Sequence, residues 1–354
     1  MGAGRRAGLA LMCAGLALPA ALAAQEQAPA APPKPGAAAK PDPPCVESCR
    51  KLAESGDLSK SYSKLGCLAR VCQEEARAFY QENQFDEAMA SLDHIAPQVK
   101  FSPSFQLDRG LVNYALGNFD AAIANFDAVL EVRPQSIRAA AQRAHALLRL
   151  GRIPEARAQF EKMFELDKID LEYNELITRS YVEGNLGVLR LAEFDIPGGT
   201  AQLQKAFDRD SRNELARTYL KRVVPALESG AVQPDAIPHL IAASEEVALG
   251  RANAALRELS WVLSRYPDFK FPYMVASLMQ RRFNDYKGCE TTLRVAQQRF
   301  PDDTEVFANR IRCTMLRYGV HAPESAPSIQ ELKELAEQDP NDPLVQEMLM
   351  LLSQ

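Results

Sequence analysis

Cysteines are the residues of this chain whose type and spacing come closest to a chemical site. Of the seven, Cys13 lies in the amino-terminal apolar segment, and the others are Cys45, Cys49, Cys67, Cys72, Cys289 and Cys313. The first four of these form a C-x3-C and a C-x4-C pair, which supplies enough thiolates for a zinc ion. Structural zinc sites usually use C-x2-C spacing, and the C-x-x-C spacing of redox enzymes is absent from the sequence. An even number of cysteines is typical of disulfide pairing in exported chains, so we predict disulfides and no metal.

The four clustered cysteines also indicate a cysteine-stapled helical segment over residues 45–68. Gly56-Asp57 lies between the two pairs and is a candidate turn between two helices. Pairing Cys45 with Cys72, and Cys49 with Cys67, would staple an antiparallel helical hairpin. The spacing resembles that of twin-cysteine helical hairpins, although the second gap is longer. Four cysteines allow three connectivities, and the sequence does not select one of them.

No other motif of the sequence points to catalysis. The histidines are His94, His145, His239 and His321. None of them belongs to an H-E-x-x-H arrangement, and neither a G-x-S-x-G elbow nor a phosphate-binding G-x-x-x-x-G-K occurs. Asp208-Arg-Asp210 begins like a calcium loop but lacks its central glycine. We therefore predict a chain without catalytic residues, metal or cofactor.

The amino-terminal residues predict export. Arg5 and Arg6 precede an apolar run from Leu9 to Leu22, and small residues follow it, which is the layout of a signal peptide over residues 1–24. The apolar run is short and broken by proline, so a membrane anchor is the weaker interpretation. Residues 25–44 are rich in Ala and Pro, a composition typical of a disordered linker. These features predict a periplasmic or secreted protein, without a transmembrane segment in the mature chain.

Composition narrows the class of partner. The formal net charge is -5, with both signs interspersed along the chain. Nucleic-acid surfaces usually show a strong positive excess, and anionic membranes attract polybasic stretches. Neither pattern is present, so we expect other proteins as partners, and no nucleic acid.

The strongest signal is a repeat with a period of 34 residues. Gly117–Ala122 recurs as Gly151–Ala156, and an upstream copy is Asn83–Ala88. Two further copies are Gly250–Ala255 and Asn284–Cys289. Each unit has two amphipathic stretches joined by a short turn that holds Gly or Asn. This pattern resembles the tetratricopeptide repeat. The resemblance implies an all-α fold: a right-handed superhelical solenoid of antiparallel helix pairs, with an irregular central helical insertion.

The repeat frame divides the chain. Residues 69–170 hold three units, and residues 236–354 hold two units, an irregular unit and a capping helix. The irregular unit starts near Thr304 and carries an insertion over 321–327, and the capping helix covers 344–352.

The segment 171–235 keeps helical patterning but loses the period. The sequence predicts a loop over 195–200, with Thr200 as the N-cap of a helix that runs to residue 209. It predicts another helix over 213–228, bent at Pro225. The segment is either a degenerate repeat followed by a spacer helix, or a partner-binding insertion.

The repeat frame also gives a meaning to the last two cysteines. Cys289 takes the place of the small alanine in a second helix, and Cys313 lies in the first helix of the following unit. A disulfide between them would join neighbouring repeats, whereas the alternative is two buried free thiols.

The resemblance implies a concave groove, lined by outward positions of the first helix in each unit. Carried onto this sequence, the candidate groove residues are Arg70, Gln73, Arg77, Tyr80, Ser104, Leu107, Leu111, Tyr114, Arg138, Ala141, His145, Leu148 and Arg149. Arginine, tyrosine and leucine together are typical of binding patches, so we expect a partner segment with acidic and apolar residues. The alternative is that these arginines are simply solvated.

The sequence therefore predicts a non-catalytic scaffold or adaptor that binds other proteins. Exported repeat proteins of this kind often serve cell-envelope assemblies, such as secretion, motility, pilus or outer-membrane machinery, which is what the resemblance implies here. Two alternatives stay open: an exported enzyme with a site in 171–235, and a structural spacer without a groove ligand.

Overall fold

In the computed structural model the described residues are 42–54, 64–165, 175–338 and 340–352. Regular structure in these ranges is helical and includes no strand, which confirms the predicted all-α fold class. Within the same ranges, every helix is too short or too polar to cross a membrane. The predicted signal peptide, nearly all of the predicted linker and the Gly56-Asp57 turn lie outside the described residues.

The chain divides into two compact units. The N-terminal unit contains the described residues up to 189 together with 205–213, and the C-terminal unit contains 190–204 and 214–352. The N-terminal unit begins with the helices α1 (Pro44–Glu54), α2 (Lys64–Gln81), α3 (Phe85–Val99), α4 (Pro103–Leu116), α5 (Phe119–Val132), α6 (Ile137–Arg149) and α7 (Ile153–Phe164). Consecutive helices from α2 to α7 form antiparallel pairs that pack on one another.

The N-terminal hairpin is stapled by two disulfides, Cys45–Cys72 and Cys49–Cys67. All four cysteines are buried against the first repeat helices. Of the three connectivities that the sequence left open, the structure holds the nested one, which joins the outer two cysteines and the inner two. Because α2 runs from Lys64 to Gln81, it crosses the boundary predicted at residue 68. The second helix of the hairpin is thus also the first helix of the first repeat.

One backbone conformation recurs at the turn inside each helix pair. The φ angles are 61° at Asn83, 84° at Gly117 and 72° at Gly151, and 71° at Gly250 and 61° at Asn284. Left-handed φ values strain residues that carry a Cβ, and glycine and asparagine tolerate them best. The Gly or Asn that marks the repeat in the sequence therefore meets a requirement of the turn.

The paired helices also need a small residue where they cross. A Cβ placed on Gly110 of α4 would lie 2.5 Å from Cε1 of Phe126 on α5, and Phe126 is fully buried. A larger residue at 110 would force the two helices apart. The matching positions 34 residues before and after Gly110 are Ala76 and Ala144, and Phe160 follows Phe126 at the same spacing, so the small residue and its bulky partner recur with the crossing.

The described part of the central segment forms two helices followed by a single interrupted helix. The first two are α8 (Glu175–Ala192) and α9 (Ile196–Arg209). The loop predicted over 195–200 is wrong, because α9 begins at Ile196. Asp195 Oδ1 accepts a hydrogen bond from the backbone N–H of Gly198 at 2.9 Å, so Asp195 and not Thr200 caps the helix. The Thr200 hydroxyl instead donates to the Ile196 carbonyl within the helix, at 2.8 Å.

The single helix is bent by a π-helical turn. It consists of α10 (Glu214–Thr218), a π segment (Tyr219–Val223) and α11 (Val224–Glu228). Pro225 has no N–H, and its ring would collide with the carbonyl four residues earlier in a regular helix. The backbone N–H of Val224 bonds to the Tyr219 carbonyl, five residues back, which widens the turn just before the proline. The irregularity predicted at Pro225 is therefore present.

The C-terminal unit continues with further helix pairs and a closing helix. Its later helices are α12 (Ala236–Ala248), α13 (Ala252–Arg265), α14 (Lys270–Arg282), α15 (Tyr286–Arg299), α16 (Thr304–Tyr318), α17 (Ala326–Gln338) and α18 (Pro343–Leu352). A disulfide joins Cys289 of α15 to Cys313 of α16, both buried, so this pair is bonded and is not a pair of free thiols. The predicted insertion forms a short 3-10 turn over Pro323–Ser325, directly before α17.

Candidate partner-binding groove

The inner face of the N-terminal unit contains a groove of about 450 Å³. It is formed by α2, α4 and α6, the first helices of three successive pairs. Its lining residues are Ala76, Arg77, Tyr80, Gln81, Asp108, Leu111, Val112 and Arg138. Four of these, Arg77, Tyr80, Leu111 and Arg138, are among the groove residues predicted from the sequence.

A buried carboxylate forms part of the groove floor. The side chain of Asp108 on α4 is 8% exposed. It accepts a hydrogen bond from Gln73 Nε2 at 2.5 Å and another from Arg77 Nε at 2.8 Å, both on α2. A buried charge needs partners of this kind. Gln73 and Arg77, predicted as contact residues, therefore also hold α2 against α4.

The arginines of the predicted groove differ in how far they are already paired. Arg70 forms an exposed ion pair with Glu74 at 3.0 Å, and Arg77 is bound to Asp108. Arg149 lies over the Phe119 ring, 4.9 Å from its centroid. Arg138 is exposed at the start of α6 and has no ion-pair partner within the described part of the chain. Arg138 is thus the cation of the groove that is open to a ligand.

Four of the predicted groove residues, Tyr114, Ala141, His145 and Leu148, are buried instead. Tyr114, His145 and Leu148 are 6%, 4% and 1% exposed, so they present no surface to a partner. His145 Nε2 lies 2.7 Å from the hydroxyl of Tyr181 on α8, and the His145 ring packs edge-on against Phe160. His145 is covered because Tyr181 of α8 lies against this part of α6. The prediction for these positions was therefore wrong.

The other predicted positions remain at the surface to different degrees. Leu107 and Leu111 are half-buried, and Ser104 is exposed. Leu111 contributes an apolar wall near Arg138 in the groove. The surface available to a ligand is thus concentrated on α2, the first half of α4 and the start of α6.

Asp108 is the residue of this site that the sequence reasoning missed. The sequence gives one indication of its role. Asp108 is an acidic residue between Phe105 and Val112, which are both buried, and Arg77 lies on the first helix of the preceding pair. Within the described ranges, His, Cys, Asp and Glu side chains form no group of three that could hold a metal ion. The groove offers a cation, apolar walls and hydrogen-bonding groups, which suits recognition of a peptide segment.

Residues 114–179, which begin in α4 and end in α8, match the family model described as tetratricopeptide repeat. No curated protein matches the sequence at a significant level. Among solved structures, a tetratricopeptide repeat protein from Parabacteroides merdae is 14% identical with a TM-score of 0.38, over 81% of this chain and 99% of that one. PilF of Pseudomonas aeruginosa is 11% identical with a TM-score of 0.36, over 81% and 99%. PilW, described as a type IV pilus biogenesis factor, is 15% identical with a TM-score of 0.37, over 67% and 96%. These likenesses are distant.

Antiparallel helix pairs, with a left-handed turn at a fixed spacing and a groove on the first helices, define a helical repeat protein. The family model matches residues 114–179, and this match agrees with the tetratricopeptide repeat that the repeat period predicted.

Proposed function

We propose that this chain is an exported, non-catalytic scaffold that binds a partner protein segment in the groove of its N-terminal unit. The segment would carry at least one carboxylate next to apolar side chains. We further propose that the partner belongs to a cell-envelope assembly, such as secretion, motility, pilus or outer-membrane machinery. That assignment follows what exported members of the family often do.

The observation that carries the proposal is the unpaired Arg138 beside the apolar wall of the groove. Arginine and tyrosine contribute much of the affinity at protein interfaces when they lie next to apolar surface. Arg138, Tyr80 and Leu111 line the same groove. A carboxylate of the partner can pair with the Arg138 guanidinium while neighbouring apolar side chains contact Leu111 and Tyr80.

Export is supported by the cysteines and by the amino-terminal sequence. Six cysteines form three disulfides, and each sulfur is buried in the packing of neighbouring helices. Disulfides persist in oxidising compartments and are rare in the cytosol. The layout of residues 1–24 is that of a cleavable signal peptide.

The central segment gives little support to the alternative of an exported enzyme. Its buried carboxylate, Glu183, is held by two hydrogen bonds from Arg209, at 2.6 and 2.8 Å. Asn213 donates to the Ser180 carbonyl at 2.9 Å. These polar groups bind one another and tie α8 to the end of α9, which favours a structural role.

The test is a charge reversal at Arg138 with a matched control. Crosslinking in envelope extracts would first identify a partner, and its affinity for the purified chain would then be measured by titration calorimetry. We expect Arg138→Glu to weaken binding about tenfold or more, because it places like charges together. Lys162→Glu, an exposed reversal on α7 outside the groove, should leave the affinity unchanged.

Equal affinities of the Arg138→Glu variant and the wild type would exclude the groove as the binding site. A chain that captures no partner in its native envelope would instead support a structural spacer. Circular dichroism of each variant confirms that the reversal has not unfolded the unit.

A further inference from the structure

A second surface of the molecule lies on α14 and α16 of the C-terminal unit. The two helices lie side by side, because Lys270 Nζ of α14 pairs with Asp303 at 2.6 Å and with Glu305 of α16 at 3.1 Å. They are the first helices of successive pairs, as α2 and α4 are in the N-terminal unit. The groove residues predicted from the repeat frame all lie before residue 150, so none of them belongs to this surface.

Large apolar side chains are exposed near the carboxyl ends of these two helices. Leu278 of α14 is 57% exposed and Leu316 of α16 is 44% exposed. Phe283 and Tyr318, at the ends of the same helices, are each 39% exposed. Scattered apolar residues on a surface need no explanation, but several on neighbouring helices are typical of an interaction site.

Arginines are interleaved with these leucines. Arg281 and Arg282 follow Leu278 by three and four residues, which places them on the same side of α14. Arg312 precedes Leu316 by four residues on α16. Leu278, Arg281, Arg282, Arg312 and Leu316 together are called the α14/α16 surface below.

Arg281 is a half-buried cation without a counter-charge in contact. It has neither an ion pair nor a hydrogen bond from its side chain within the described part of the chain. Burial and the positive charge of nearby Arg312 lower the pKa of the Arg281 guanidinium, and Glu347 offsets this only in part. Glu347 itself pairs with Arg312, 3.4 Å away. An anion on this surface would therefore relieve an existing cost.

We propose that the α14/α16 surface is a docking site for a partner protein segment that presents carboxylates beside apolar side chains. The carboxylates pair with Arg281 and Arg282, and the apolar side chains cover Leu278 and Leu316. This site is separate from the groove of the N-terminal unit and does not depend on it.

Charge complementarity selects this occupant over the alternatives. A second copy of the chain would bring two identical cationic surfaces together in a symmetric contact, and like charges oppose that contact. Free phosphate or a nucleic-acid backbone would pair with the arginines but would leave the leucines exposed to water. A segment of mixed acidic and apolar character satisfies both features at once.

The experiment uses the full chain and short synthetic peptides labelled with a dye. One library is built from Glu, Asp, Leu and Phe, and a charge-reversed library replaces the acidic residues by Lys and Arg. Fluorescence anisotropy measures binding to the wild type and to Arg281→Glu/Arg282→Glu. We expect the acidic library to bind, and the double variant to bind about tenfold more weakly or worse.

Two control variants locate the effect. Lys287→Glu reverses an exposed charge on the neighbouring helix α15 and should leave binding unchanged. Each variant is also measured in a chain that carries Arg138→Glu, so that the groove of the N-terminal unit contributes little and the remaining binding reports the α14/α16 surface. A loss caused by Arg281→Glu/Arg282→Glu in that background belongs to the α14/α16 surface, and a loss caused by Arg138→Glu alone belongs to the groove. Where the double Glu variant does not fold, Arg281→Gln/Arg282→Gln replaces it.

Several outcomes would overturn the proposal. Equal binding of the two libraries would contradict it, and so would equal binding of the acidic library to the double variant and to the wild type. Competition by inorganic phosphate at the same concentration as the peptide would assign a simple anion site instead. Self-association of the wild type in sedimentation, lost in the double variant, would assign the surface to a second copy.

Discussion

Two arginines of the N-terminal groove have the same chemistry and different roles. Arg77 binds the buried carboxylate of Asp108 at 2.8 Å, so it contributes to the folded state. Arg138 lies in the same groove and has no ion-pair partner in the described ranges. Both residues are arginines on the first helix of a pair, and the contact with Asp108 separates the structural arginine from the one open to a ligand.

We therefore predict different effects of truncating these two arginines. Arg77→Ala removes one of two hydrogen-bond donors from Asp108 and should lower the free energy of unfolding by about 1–2 kcal/mol, a modest figure because Arg77 is half exposed. Arg138→Ala should change it by less than about 0.5 kcal/mol. Urea unfolding followed by circular dichroism measures both. Equal losses would contradict the distinction.

At the scale of secondary-structure elements, the single helix after α9 is tied to the repeats by an ion-pair network. Arg222 of the π segment donates two hydrogen bonds of 2.7 Å to Glu305 of α16, and Lys270 of α14 contacts the same carboxylate. Residues 222 and 305 are far apart in sequence. Arg222, in the π turn just before Pro225, therefore joins the single helix to α16 through Glu305. The same Glu305 joins α16 to Lys270 of α14.

This network predicts a dependence of stability on pH. Burial raises the pKa of Glu305, but hydrogen bonds from Arg222 and Lys270 outweigh burial, and the pKa lies below its ordinary value. The unfolded chain therefore takes up a proton at higher pH than the folded chain does. The stabilisation is present above the unfolded pKa, near 4.3, and is lost as the pH falls through the lower folded pKa.

Glu305→Gln should remove this contribution. The difference in unfolding free energy between wild type and variant should be largest at neutral pH and should shrink below about pH 4. Urea unfolding across that range measures it. Glu334→Gln on α17, an exposed residue outside the network, is the matched control. A difference that grew on acidification would mean that Glu305 is not stabilised as an anion.

At the scale of the whole molecule, each unit has its own core, and the C-terminal unit has a closing helix. A repeat array leaves an apolar face at its last unit, which must be covered. Val345 and Met348 of α18 are fully buried against Ile311 and Leu332 of α16 and α17. The helix predicted over 344–352 therefore covers the last repeat helices.

Two methionines of α18 test this closing role. Met348 is fully buried and Met350 is 60% exposed on the same helix. Met348→Ala should lower the unfolding free energy of the C-terminal unit by about 2–4 kcal/mol, because it leaves a cavity in the core. Met350→Ala should cost less than about 0.5 kcal/mol. Similar costs in thermal and urea unfolding would show that α18 does not pack as described.

Much of this fold could be predicted from the sequence because its signals are local. The turn at Gly117 or Asn284 needs a residue that tolerates a left-handed φ angle, and the position of Gly110 needs a small residue because Phe126 lies next to it. Residues that meet these two needs therefore recur at the period of the repeat. The loop predicted at 195–200 was wrong for a local reason as well. Asp195 caps α9 before Pro197 and two glycines, which resemble a loop in composition but occupy the first turn of a helix.

The candidate site was predictable only in part. The period identifies which side chains share the inner face of a first helix, and it placed Arg77, Tyr80, Leu111 and Arg138 in the groove. The period does not show how much of that face is covered by the helices that follow. His145 shares the face but lies under Tyr181 of α8, in a segment where the period is lost.

The sequence by itself determined the helix pairs, their turns and the presence of cysteines suited to disulfides, because each depends on residues near one another in the chain or at a fixed repeat. The tertiary structure alone decided which cysteines are joined, which arginines are already paired and which predicted contact residues are buried. Those outcomes depend on distances between side chains of different helices. Such distances are set by how the helices pack, and no periodic pattern records them.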